Sequence, residues 1–60
     1  MMKSEFEEIT KKEVTEIEYK KIDTVYLFYP GIQDKSQIAD IFKIGGMMLI
    51  NDMLPRAKKI

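Results

Sequence analysis

The residues able to do chemistry are few, and their spacing argues against its being done. Six glutamates (Glu5, Glu7, Glu8, Glu13, Glu16 and Glu18) could in principle supply a pair of catalytic acids. Paired-carboxylate catalysis needs two acids facing one cleft. These instead lie around predicted helix starts, on exposed faces, where the positive end of the helix dipole favours a carboxylate. Ser4 and Ser36 are the candidate hydroxyl nucleophiles, but both sit where helix capping accounts for them. A serine–lysine pair needs a desolvated lysine, and every lysine lies in a polar stretch. The chain has no histidine to titrate near neutrality and no cysteine thiolate. The residue types predict a protein that is not an enzyme and takes no cofactor.

Metal and phosphate chemistry fare no better. Without Cys or His a structural zinc site cannot be built. Asp34 and Asp40 lack the spacing of a calcium loop, and the apolar Ile38-Ala39 interrupts them. Asp34 reads better as a helix cap. Gly45-Gly46 could cradle an anion before a helix, but Met47-Met48 follow where the phosphate-loop pattern has Lys and Ser or Thr. A hinge or a close helix crossing explains the glycines more simply.

Sixty residues, 45% apolar and 33% charged, make one small domain of 7.1 kDa spanning residues 1–60. At this size a chain buries only about 60% of its unfolded surface, so its core is marginal. Disulfides and metals being absent, oligomerisation is the remaining remedy. Ten basic residues balance ten acidic ones, so no basic excess marks a phosphate binder. Residues 1–30 carry a net charge of −2 and residues 31–60 a net +2, a small and salt-screened polarity. The longest apolar run, Val25-Tyr26-Leu27-Phe28-Tyr29, is far short of the roughly 20 residues a membrane helix needs. No export-signal pattern follows Met1-Met2-Lys3. A soluble, cytoplasmic protein is expected.

Three pairs have the spacing of helix-capping boxes: Ser4 with Glu7, Thr15 with Glu18, and Asp34 with Gln37. Together they predict an all-α chain of three to four short helices, at about 4–12, 15–29, 35–44 and 46–59. The first would bury Phe6 and Ile9, with Val14 pinning the turn that follows. The second carries a stripe of Tyr19, Ile22, Val25, Tyr26 and Tyr29 within about 120° of the wheel. Pro30 ends it. A strand over 24–29 competes, because Thr-Val-Tyr-Leu-Phe-Tyr is rich in β-formers. The upstream continuation of the stripe and the lack of a pairing partner favour helix. In the last half, Ile38, Phe42, Leu49, Met53 and Ile60 share one face if the helix is continuous. Gly45-Gly46, each costing about 1 kcal/mol in a helix interior, predict a break instead. The expected architecture is a helical bundle that dimerises.

Two binding surfaces follow. Leu27 projects nearly opposite Ile22 and Val25, and Phe28 flanks the stripe, so the end of the second helix is apolar almost all round. With Ile44 and Met48, these residues are the candidate interface for a second copy or another protein. The alternative is a small DNA-binding regulator, its C-terminal half arranged like a helix-turn-helix. It would use Lys43, Arg56, Lys58 and Lys59. Against it, the first turns of the would-be recognition helix read Met47-Met48-Leu49-Ile50, with only Asn51 and Asp52 polar.

The segment Glu18-Tyr19-Lys20-Lys21-Ile22-Asp23-Thr24-Val25-Tyr26-Leu27-Phe28-Tyr29-Pro30 fits a pattern E-Y-x-x-I-x-x-V-Y-x-F-x-P. Ile38 to Phe42 fits I-A-x-(I/L)-(Y/F), and Gly46 to Met53 fits G-M-x-(V/L/I)-I-x-D-M. Together these resemble short uncharacterised proteins of bacterial phages and integrative elements, over most of residues 18–54. The resemblance implies a mobile-element accessory protein and carries over no functional residue. Leu27 fills a position that the pattern leaves variable, which suits an exposed site.

Overall fold

The computed structural model describes residues 1–57. Three helices follow one another: α1 (Lys3–Thr10), α2 (Glu16–Phe28) and α3 (Lys35–Ala57). No strand occurs among the described residues, and the stretch from Thr24 to Phe28 is helical, as its stripe requires. α3 is broken at Gly46, whose backbone is non-helical at φ 60° and ψ −154°. The break divides it into a first arm (35–45) and a second arm (47–57). The glycine pair thus interrupts the helix as its cost predicts, but through a single residue.

α1 departs most from expectation. It begins at Lys3 behind Met2, which offers no side-chain cap. That earlier start places Ser4 inside the first turn, so the Ser4–Glu7 box does not form. Glu7 serves the following loop instead: its Oε2 accepts from the Val14 N–H at 2.9 Å and from the Lys3 ammonium at 3.3 Å. The helix stops at Thr10 rather than 12, because Lys11 turns left-handed (φ 59°, ψ 30°). The Lys11 N–H then bonds the Glu7 carbonyl at 2.8 Å. Phe6 is fully buried, whereas Ile9 is only half-buried. The second inward place goes to Thr10, whose hydroxyl is satisfied by the Phe6 carbonyl at 2.9 Å. A threonine can be buried there only because that bond offsets its desolvation.

The other two boxes form. The Thr15 hydroxyl accepts from the Glu18 N–H at 3.1 Å, and the Glu18 carboxylate accepts from the Thr15 N–H at 2.9 Å. At the start of α3, Asp34 Oδ1 accepts from the N–H groups of Ser36 and Gln37 at 3.0 and 3.2 Å. Gln37 Oε1 reciprocates, accepting from Asp34 N–H at 3.0 Å and Gln33 N–H at 2.6 Å. Tyr29 leaves helical geometry ahead of Pro30, as a residue preceding proline should. The segment 29–34 then reverses the chain, so that α2 and α3 pack together.

The core is a single cluster. Phe6, Ile22, Val25, Ile38 and Ile50 are its largest fully buried side chains, and Val14, Phe42 and Ala57 complete it. Tyr19, Tyr26 and Tyr29 lie against this cluster, half-buried, completing the predicted stripe of α2. Leu49 and Met53 are half-buried where the continuous wheel placed them inward, and Ile50 and Ala57 go deepest. Ile60 lies outside the described residues. Phe6 stands edge-on to both Tyr19 and Phe42, with ring centroids 6.2 and 5.2 Å away. One side chain therefore joins all three helices. The radius of gyration, 10.2 Å, matches the roughly 10.4 Å expected of a compact chain of this length.

Removing that joint should be costly. Phe6→Ala is expected to lose about 3–5 kcal/mol, most of the roughly 3–9 kcal/mol available to a chain of this length. A urea melt followed by far-ultraviolet circular dichroism should show the midpoint collapse. Lys11→Gly should act oppositely, raising stability by about 0.5–1 kcal/mol in the same melt by relieving the left-handed conformation.

Candidate interaction surface

The four expected contact residues are all solvent-facing. Leu27 is 57% exposed and Phe28 43%, at the end of α2; Ile44 is 83% exposed and Met48 78%, on either side of the Gly46 break. Single exposed apolar residues are ordinary on protein surfaces. Here two of them flank a backbone break, and two more close a helix whose other face already fills the core. Met2 and Ile17 are equally open. At 100° per residue, Ile17, Lys20, Lys21, Thr24, Leu27 and Phe28 all fall within about 120° on α2.

That same face borders a cleft of about 580 Å³ between α2 and the second arm of α3, lined by Lys20, Lys21, Thr24, Asn51, Leu54 and Pro55. Pro55 lies inside α3 on its exposed side. Having no N–H, it removes the usual intrahelical donor to the Asn51 carbonyl. The cleft therefore combines two ammonium groups and backbone and side-chain amide functions with an apolar leucine–proline wall. Sequence spacing gave no hint of it, because its two walls are brought together only by tertiary packing.

Lys43 and Arg56 are exposed on different arms of α3, and Lys58 and Lys59 lie outside the described residues. The arms meet at one non-helical residue, with no three- or four-residue turn of the helix-turn-helix type between them. Met47 is half-buried, and the polar Asn51 and Asp52 are exposed one turn further on. Among the described residues there is no group of three or more His, Cys, Asp or Glu that could hold a metal ion. No described helix is long and apolar enough to cross a membrane.

Electrostatic order is concentrated at the α1 end. Lys35 pairs with Glu5, linking the start of α3 to α1, and this holds the Glu5 carboxyl below its ordinary range and Lys35 above its own. The Val14 N–H likewise depresses Glu7, and the Ser36 hydroxyl depresses Asp34. The Tyr19 hydroxyl donates to the Met1 carbonyl. Burial, reinforced by the neighbouring Asp23 carboxylate, pushes the Tyr19 phenol up to about 12. Asp23 Oδ1 is itself buried without a hydrogen-bond partner among the described residues. The Ser36 hydroxyl donates to Asp34 Oδ1 at 2.5 Å as part of the helix cap, and Ser4 is exposed on α1.

Comparison with known proteins adds no relative: no family model, curated protein or solved structure matches the chain.

The shifts fix the pH response. Glu5, Glu7 and Asp34 have folded pKa values below their unfolded ones, so their contribution is complete above about pH 4.5. It is lost as pH falls through the depressed folded values, and Glu7→Gln should flatten that acid limb in melts taken below pH 4.5. Tyr19 behaves inversely, contributing fully below pH 10 and losing its contribution as pH rises through about 12. Tyrosinate absorbance should show Tyr19 ionising near 12. Tyr19→Phe should abolish that step, and Asp23→Asn should lower it part-way.

Proposed function

We propose that the protein is a non-enzymatic interaction or regulatory accessory module of a phage or integrative element. In this reading it acts in the cytoplasm as a homodimer. The observation that supports it is the pair Ile44 and Met48, both more than three-quarters exposed beside the break in α3. Fully burying such a side chain is worth about 1.5–3 kcal/mol. Two from each of two protomers would contribute about 6–12 kcal/mol, against an association cost of about 4–15 kcal/mol. Those magnitudes are comparable, so the apolar end of α2, led by Leu27, tips the balance.

Light scattering and sedimentation at micromolar concentration should give twice the monomer mass. Ile44→Glu with Met48→Glu should return the monomer, weakening association at least about 100-fold. At concentrations low enough that the wild type is also monomeric its unfolding midpoint should barely differ, because exposed positions away from the core tolerate substitution. A wild-type monomer with a cooperative melt would remove the homodimer. Tight duplex-DNA binding that falls steeply with salt would instead favour a regulator working through Lys43, Arg56, Lys58 and Lys59.

A further inference from the structure

The break in α3 demands glycine twice over, for two different reasons. Gly46 adopts φ 60° and ψ −154°, the mirror image of polyproline II, a region essentially closed to L-residues with a side chain. Gly45 is excluded from change by contact: a Cβ built there would lie 2.4 Å from the Leu49 Cβ. In an unbroken α-helix neither restriction applies, since side chains one turn apart sit about 5–6 Å from each other. The bent conformation is thus the only one that needs these glycines.

The rest of α3 is compatible with the unbroken form. On one straight wheel the buried residues of both arms, Ile38, Ala39, Phe42, Ile50 and Ala57, fall within about 120°. Ile41, Ile44 and Met48 fall within about 60° on a separate face, with the i, i+3, i+7 spacing of a coiled-coil seam. Bending scatters that second stripe and leaves Ile44 and Met48 in solvent.

From these observations we propose that the occupant of this surface is a second copy of the chain, bound by exchange of the second arm. α3 straightens at Gly45-Gly46, and residues 47–57 of each protomer pack on α2 of the other. The contacts of the buried Ile50 and Ala57 and of the half-buried Leu54 are recreated between chains, which makes the exchange inexpensive. The Ile44 and Met48 side chains of the two straightened helices cross and cover each other, beside Ile41, which is already half-buried against its own core. The cleft between α2 and the second arm is then walled by two chains. This inference rests on the homodimer reading and specifies its form.

The test uses variants that favour each state. Gly45→Ala with Gly46→Ala should clash with the bend while favouring helical continuity about fivefold per glycine. The variant should be dimeric at concentrations at least about 100-fold below those the wild type requires. Replacing Gly46 with D-alanine, accessible by chemical synthesis at 60 residues, should do the reverse, because a D-residue prefers this backbone region. That chain should remain folded and show weaker association than the wild type. Because the chain has no native cysteine, Thr24→Cys with Asn51→Cys and a short bis-maleimide reports which chain supplies the second arm. Cross-links in the alanine dimer should join two chains.

A dimeric wild type whose links are all within one chain would keep the homodimer and overturn the exchange. So would an alanine variant that is unfolded or monomeric beside a D-alanine variant that dimerises undiminished. A chain that stays monomeric with every substitution would overturn both readings.

Discussion

A single phenylalanine holds the fold together. α1 has eight residues and only Phe6 and Thr10 fully inward, too short to persist as an isolated helix in water. It exists because Phe6 wedges between Tyr19 of α2 and Phe42 of α3. Everything else around α1 is arranged so that this ring can be delivered. Thr10 satisfies its buried hydroxyl on the Phe6 carbonyl, Glu7 gathers the loop through Val14, and the Glu5–Lys35 pair aligns the helix with the start of α3. The exposed pair contributes alignment more than stability, as surface ion pairs usually do.

Local chemistry explains what the sequence made legible. Thr15 with Glu18 and Asp34 with Gln37 cap helices because each pair precedes a strong apolar rhythm that holds the boundary in place. Ser4 with Glu7 has the same spacing and fails. Its helix is positioned by Phe6 rather than by its end, so the N-cap moves two residues back, from Ser4 to Met2, and Glu7 finds a donor beyond the helix. Tertiary demand overrode a local signal there. The same demand explains Thr10, a polar residue buried at the place where an apolar Ile9 was expected.

The four candidate contact residues are exposed, but the geometry that relates them was not legible in the sequence. The wheel put Leu27 opposite the core stripe, and it is exposed. The positions of Ile44 and Met48 depend on the dihedral angles of Gly46, which no periodicity encodes. The cleft beside Lys20 and Pro55 depends on how α2 meets the second arm. Both come from the same backbone event. That event is also where the chain departs from its own local preferences, with two costly glycines retained in the middle of an apolar stretch.

The aromatic joint has an experimental consequence. The chain contains three tyrosines, three phenylalanines and no tryptophan, so its near-ultraviolet dichroism arises from very few rings. Phe6 and Tyr19 sit in a fixed edge-to-face arrangement, which should contribute to that band only while α1 is docked. Secondary structure and tertiary packing can therefore be followed in separate spectral windows. A loosened state that keeps α2 and α3 helical but frees α1 would lose the second signal first. The docking of eight residues becomes observable in the unlabelled protein.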